Sequence, residues 1–184
     1  LDQYLNERYS KPDIFALSTN IEKLEDKYLE QRGIKTSFIQ NLPFGKRNVQ
    51  KFLPILPFAI EQIDLRNYDF VLSSSHSFAK GIITSPDQLH ISYVHTPVRY
   101  AWDQMNTYLE QSTLSKFGFE IPIRYFLYKL REWDFTSSQR IDYIIANSHF
   151  TAKRIKKYWG LNSTVIHPPV DIKRFKYNNT RGDF

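Results

Sequence analysis

The amino-acid sequence predicts an α/β protein built on a parallel sheet with helices on both of its faces. Three observations carry that expectation. Short apolar runs of strand length recur along the chain, among them Phe70-Val71-Leu72, Ile91-Ser92-Tyr93-Val94 and Tyr143-Ile144-Ile145-Ala146. Runs of this length and content read as buried strands. Longer segments with helical periodicity lie between them, and that alternation is the mark of βαβ units. Finally, 184 residues with 41% hydrophobic and 24% charged content suffice for one well-filled core.

Taken in order, residues 1–9 read as the tail of a helix, broken at Lys11-Pro12-Asp13. Ile14-Phe15-Ala16-Leu17 is the first strand. Glu22 to Gln31 is a charged helix that Gly33 stops, and Thr36-Ser37-Phe38-Ile39 is the next strand. In residues 43–63, Lys46, Arg47 and Lys51 accompany an apolar block of Phe52, Leu53, Ile55, Leu56, Phe58 and Ile60. Pro54 and Pro57 forbid one continuous helix, so two short helices or a kinked one are expected. Two readings of the block stay open. In the first, Lys46, Arg47 and Lys51 meet anionic lipid while apolar side chains such as Phe52 enter the headgroup boundary. In the second, the block is a helix packed on the sheet.

Beyond the central strands, Tyr100 to Glu110 and Pro122 to Arg140 read as helices. The aromatic stripe of the second, Tyr125, Phe126, Tyr128, Trp133 and Phe135, reads as core. Ser148 is the expected N-cap of an amphipathic helix closed at Gly160. Thr164-Val165-Ile166 is the last strand, and Pro168-Pro169 stiffen the exit from it. The chain opens in helical pattern without Met and closes on a linker-like stretch, Asn178 to Asp183, so a piece of a longer protein is expected. No internal repeat is visible.

Charge is unevenly placed. The net charge is +6, and residues 147–184 hold eight of the Lys and Arg residues against two Asp, so the whole surplus lies there. A basic end of this kind suits a diphosphate, a lipid headgroup, a nucleic acid or an acidic domain, or else it is a solvated helix face followed by a basic tail. With no cysteine, disulfides and thiolate metal sites are excluded. No apolar run of about 18 residues occurs, so no membrane-spanning helix is expected. The histidines, at 76, 90, 95, 149 and 167, show neither HxxxH nor HxH spacing, and no Walker A or GxGxxG motif is present. No metal site is therefore expected.

Ligands of open parallel sheets bind beyond the carboxyl ends of the strands. Ser73-Ser74-Ser75-His76 and His95-Thr96-Pro97 follow the two central strands, with Lys80, Arg99 and Asp103 close in sequence. These residues make a candidate polar cleft. Bland roles fit several of them: Lys80 and Gly81 suit a turn, Asp103 suits an i,i+4 ion pair with Arg99, and Asn147-Ser148 suits a plain helix cap.

Four segments together, SSSHSFAKG (73–81), SYVHTPVRYAWD (92–103), IANSHFTAKRIKKYWG (145–160) and VIHPPVDIKRF (165–175), resemble the N-terminal half of group 1 glycosyltransferases. These are retaining, nucleotide-sugar-dependent enzymes of two Rossmann-like domains, the GT-B architecture. The resemblance is greatest to mannosyltransferase-like members that build O-antigen or exopolysaccharide. It implies that residues 1–170 are the acceptor-side Rossmann-like domain, without its first strand and glycine-rich loop, and that 171–184 are the interdomain linker. The donor-binding domain, with its basic residues and E-x7-E signature, would lie elsewhere. Glu22 and Glu30 have that spacing but not its context.

The same resemblance places His95 at the sugar site as the catalytic-centre residue. It need not be a base, because in this family the leaving phosphate is taken to accept the acceptor proton. His76 would meet an acceptor hydroxyl, Arg99 an acceptor phosphate, and Asp103 either Arg99 or a hydroxyl. Lys80, Gly81, Thr96, Tyr100, Asn147 and Ser148 would line the substrate cleft. A nucleotide-sugar is implied as co-substrate, with no metal or other cofactor. The implied partners are the chain's own donor-binding domain, a lipid-linked glycan acceptor and an anionic membrane, on whose cytoplasmic face the protein would sit peripherally. Nucleic acid is not an expected partner, and this half alone is expected to be inactive. The competing reading is a non-catalytic basic module that binds nucleic acid or lipid. It would require strongly salt-dependent affinity, and the sequence contains no recognised nucleic-acid reader motif.

Overall fold

The structure, a computed structural model, describes residues 12–20, 33–112 and 115–170. The helices expected over 1–9 and 22–31, and the linker from 171 to 184, lie outside the described residues.

Two parallel sheets are present. In the first, β1 (Ile14–Ala16) pairs with β2 (Ile34–Thr36), Ile14 opposite Ile34. The second strand therefore precedes the expected 36–39. Ser37 is the reason: its hydroxyl accepts from the Ile39 N–H and starts a 3-10 helix, Phe38–Asn41, a competition with strand structure that Ser often wins. The second sheet holds β3 (Phe70–Ser75), β4 (Leu89–Val94), β5 (Tyr143–Ala146) and β6 (Thr164–Val165) in that order, all parallel. The predicted α/β class with parallel strands is thus present.

The expected break in residues 43–63 is present as two short helices. A 3-10 helix, Val49–Ile55, contains Pro54. It runs into α1 (Leu56–Glu61), whose first turn takes Pro57, where a missing N–H costs nothing. Next come α2 (Met105–Gln111), α3 (Glu120–Ser138) and α4 (His149–Trp159). Ser148 caps α4 and Gly160 stops it in the left-handed region, φ 73°, where glycine meets no Cβ penalty. The aromatic stripe of α3 divides. Phe126 and Trp133 pack on the core, whereas Tyr125, Tyr128 and Phe135 are exposed, so the core expectation is corrected for those three.

The larger core joins both sheets. Phe15 of β1, Leu17 just after it, Ile39, the Leu56, Ala59 and Ile60 face of α1, Val71, and Leu127 and Leu130 of α3 belong to one cluster. A second cluster packs Ile155 and Trp159 of α4 on Val94, Ile144 and Ala146. Strand alternation sets which residues face inward. The inward positions are Val71, Ser73 and Ser75 on β3 and His90, Ser92 and Val94 on β4, while Phe70 and Leu89 are exposed. The interior there is partly polar: Ser73 Oγ lies 2.9 Å from His90 Nε2 and donates to Ser92 Oγ at 2.9 Å. Burial pushes the His90 imidazole down to about 4, because a charged ring is disfavoured away from water.

Candidate functional site

The parallel register aligns the strand ends. Ser75 stands opposite Val94, and Val94 opposite Ala146. The ladder continues one step further, with His95 N–H donating to Ser75 O at 2.8 Å and Asn147 N–H to Val94 O at 3.2 Å. Three residues singled out in the sequence, His76, His95 and Asn147, are thereby brought side by side at one carboxyl edge. His76 and His95 are exposed.

His95 is held from both sides of its backbone and through its ring. Thr151 Oγ1, in the first turn of α4, donates to His95 O at 3.0 Å. The ring Nε2 lies 3.0 Å from Ser74 Oγ, and the ring meets Tyr93 edge-on at 5.3 Å. Tyr93 is fixed in turn by its hydroxyl on Ile166 O, 3.1 Å. Neither Ser74 nor Tyr93 was singled out in the sequence. Period-two alternation was the available signal, since it puts Ser74 and Tyr93 on the same, outward face of the sheet. An imidazole anchored through one nitrogen keeps its orientation and presents its other nitrogen and its edge.

Asn147 and Ser148 have defined local roles. Ser148 Oγ accepts from Thr151 N–H at 3.2 Å, the cap geometry expected of Ser. Asn147 O lies 3.1 Å from His167 Nδ1, and His167 stacks edge-on against His149 at 5.8 Å. Thr96 is half-buried, with its hydroxyl donating to Pro97 O at 3.0 Å.

The segment after His95 departs from expectation. Instead of a helix from Tyr100, residues 99–104 form consecutive turns and α2 begins only at Met105. Tertiary contacts override the helical pattern. Val98 and Ala101 are fully buried, Ala101 O accepts from Arg131 Nη1 at 2.7 Å, and Trp102 stacks on Tyr158 at 4.6 Å. Asp103 consequently pairs with Arg154 of α4 at 2.6 Å, not with Arg99. Arg99 is exposed and has no ion-pair partner among the described residues. Tyr100 is half-buried beside Tyr108, 5.7 Å between rings. Burial pushes its phenol up to about 12, against an opposing hydrogen bond with Ser77.

Lys80 and Gly81 are corrected from ligand contacts to packing residues. Lys80 is 1% exposed, on the 3-10 turn Ala79–Gly81 that follows β3 and lies under α3. Its ammonium sits 3.0 Å from Asp134 Oδ1 and donates to Asp134 O at 3.1 Å and Ser137 Oγ at 2.6 Å. Trp133 and Trp159 place their rings 4.7 and 5.0 Å from it. Asp134 Oδ2 accepts from both Trp102 Nε1 and Trp159 Nε1 at 2.8 Å. Burial pushes the Lys80 ammonium below its usual value, and the Asp134 carboxylate opposes that push. At Gly81 an added Cβ would lie 2.2 Å from Trp133 Cζ2. Asp134 was not a candidate in the sequence; it is a carboxylate in an aromatic helix, and only the fold shows what it meets.

The basic segment divides as well. Lys46, Arg47 and Lys51 are exposed, whereas Phe52 packs on the larger core, so the interfacial role expected of Phe52 is corrected. The exposed apolar side chains there are Phe44, Ile55 and Phe58. Among the described residues no helix is long and apolar enough to cross a membrane, and no three His, Asp or Glu converge as a metal site.

A family model described as Glycosyltransferase Family 4 matches residues 1–174. No curated protein and no solved structure matches the chain. The parallel α/β architecture is consistent with the N-terminal Rossmann-like half of a GT-B fold.

Proposed function

The chain belongs to glycosyltransferase family 4, and we propose that it is the acceptor-binding half of a retaining transferase. In this reading the whole enzyme moves a sugar from a nucleotide-sugar to a lipid-linked oligosaccharide or polysaccharide at the cytoplasmic face of a membrane. Residues 1–170 supply the acceptor side and 171–184 lead to the donor-binding half. Mannose is the sugar favoured by the resemblance of the 73–81, 92–103, 145–160 and 165–175 segments to mannosyltransferase-like members.

The observation that carries the proposal is the alignment of His76, His95 and Asn147 at the carboxyl edge of β3, β4 and β5. Glycosyl transfer with retention needs the departing diphosphate neutralised and the acceptor hydroxyl held at the anomeric carbon on the face the phosphate leaves. An imidazole held through Ser74, on a backbone carbonyl held by Thr151, is suited to placing a sugar hydroxyl, because its orientation is set before the ligand arrives. Arg99 is the exposed cation on the loop that follows and is suited to a phosphate oxygen of the acceptor. Phosphate departure and proton uptake on the same sugar face leave His95 a positioning task and require no bound metal from this half.

The test uses the full-length protein, a panel of nucleotide-sugars and a lipid-linked acceptor. His95→Ala should lower kcat/KM about 100-fold or more, the loss typical of an electrostatic or orienting contact. Arg99→Ala should raise the acceptor KM. A His95→Ala enzyme within twofold of wild type would remove His95 from the site, and sugar transfer by residues 1–184 alone would overturn the division of labour between the halves.

A further inference from the structure

Beyond β1 and β2 lies an open cavity of about 570 Å3, lined by Gln40, Asn41, Leu42, Pro43, Phe44, Lys46 and Arg47. Its volume is in the range of small-molecule sites. The loop that forms it is tied down. Gln40 Oε1 accepts from Thr19 N–H at 2.9 Å and Gln40 Nε2 donates to Thr19 O at 3.1 Å. Ser18 Oγ donates to Gly45 O at 2.7 Å. Gly45 is wedged so that a Cβ would lie 1.8 Å from Ile39 O, and Ile39 is fully buried. The loop is therefore anchored to the core at both Gln40 and Gly45.

This loop carries a strained residue. Phe44 has φ 67°, a left-handed geometry that L side chains rarely adopt, and the residue is 67% exposed. Neither local propensity nor burial accounts for a phenylalanine there; such outliers concentrate at ligand sites. The charges are also one-sided. Residues 37–60 contain Lys46, Arg47 and Lys51 and no Asp or Glu. Lys51 Nζ lies 5.0 Å from the centre of the Phe44 ring, and Lys46 and Arg47 have no ion-pair partner among the described residues. One wall is apolar, from Leu42, Pro43 and Phe44; the other is cationic, with no ion pair among the described residues.

We propose that this cavity binds the phosphate of an amphiphilic ligand, a lipid phosphate whose anionic group meets Lys46 and Arg47 while its first apolar carbons lie against Leu42, Pro43 and Phe44. Its lining shares no residue with the carboxyl-edge row of His76, His95 and Asn147. It deepens the acceptor reading and rests on it only for the identity of the natural ligand, as the lipid-phosphate part of the acceptor.

The experiment titrates the full-length protein with decyl phosphate below its micellar concentration. Calorimetry and amide chemical shifts are the readouts, and inorganic phosphate, decanol and phosphatidylglycerol vesicles are the comparison probes. Decyl phosphate should saturate one site, with shifts confined to residues 40–51. Binding should weaken at least tenfold in Lys46→Gln/Arg47→Gln. It should also weaken several-fold in Phe44→Gly, a change that keeps the positive φ without a Cβ penalty. Inorganic phosphate should bind at least tenfold less tightly, and decanol not measurably.

Decyl phosphate affinity unchanged by the double substitution overturns the proposal. Equal affinity for inorganic phosphate overturns it in favour of a free-phosphate site. Vesicle binding without decyl phosphate binding overturns it in favour of a docking face for the bilayer as a whole. The outcomes separate from those of the enzyme reading: loss of this binding with intact sugar transfer sinks only the cavity, and intact binding in a protein without transfer activity sinks only the enzyme.

Discussion

Replacing Asp134 by alanine tests the centre of the molecule. The carboxylate is fully buried. It faces Lys80 at 3.0 Å and accepts two indole N–H groups at 2.8 Å. Removing it leaves an ammonium that is 1% exposed with only the Asp134 carbonyl and Ser137 hydroxyl for company, and strips Trp102 and Trp159 of their acceptor. Breaking a buried pair from one side costs about 3–5 kcal/mol, and each orphaned donor adds about 1 kcal/mol or more. Against a total stability of roughly 5–15 kcal/mol, Asp134→Ala should bring the domain close to unfolding. Urea denaturation should show a midpoint lower by about 3 M, taking a slope of about 2 kcal/mol/M.

The companion variants separate charge from packing. Lys80→Met leaves a carboxylate that still holds both indoles and should cost less than Asp134→Ala. The double change Lys80→Met/Asp134→Asn keeps an acceptor for the indoles, leaves no charge, and should recover most of the loss. An Asp134→Ala protein within about 1 kcal/mol of wild type, or a double variant no better than Asp134→Ala, would refute the claim that Lys80 is a packing residue bound to this carboxylate.

Other outcomes follow from the same geometry. Burial holds His90 at about 4 against 6.5 for a free imidazole, so the unfolded chain takes up the proton first; stability should fall as pH drops from about 6.5 toward about 4, by up to roughly 3 kcal/mol. His90→Gln should flatten that part of the pH–stability curve, and an unchanged slope would clear His90 of the effect. Gly81→Ala should destabilise by about 1–3 kcal/mol, because its Cβ would press on Trp133, and thermal melts would read it. Ser148→Ala should cost about 1 kcal/mol in the same assay while leaving the register of β5 unchanged by amide exchange.

Much of this architecture was legible from local signals. The apolar runs at 70–72, 91–94 and 143–146 are strands, and Ser148 and Gly160 bound a helix as their chemistry requires. The His76 and His95 strand ends were readable because a strand-length run stops at each. What escaped was decided by contacts between distant residues. Tyr100 to Asp103 have helical composition, yet Trp102 is drawn to Asp134 and Tyr158, and Asp103 to Arg154. Lys80 looks like a surface cation until α3 is laid over it. The 40–47 loop has no motif at all: its shape depends on Gly45 lying against Ile39 and on a φ at Phe44 that no composition rule foretells.

The order of the larger sheet bears on how the chain is made. Each of β4, β5 and β6 lies beside the strand that precedes it in the sequence, so the sheet grows at one border in the order of synthesis. No strand has to wait for a later one to open a place for it. The charged centre behaves oppositely. Lys80 leaves the ribosome well before Asp134, and Trp159 later still, so the nascent β3–β4 hairpin-free pair carries an unmatched ammonium until α3 docks. The ion pair therefore forms only after the segment bearing Asp134 has emerged, whereas β3 and β4 can associate before it.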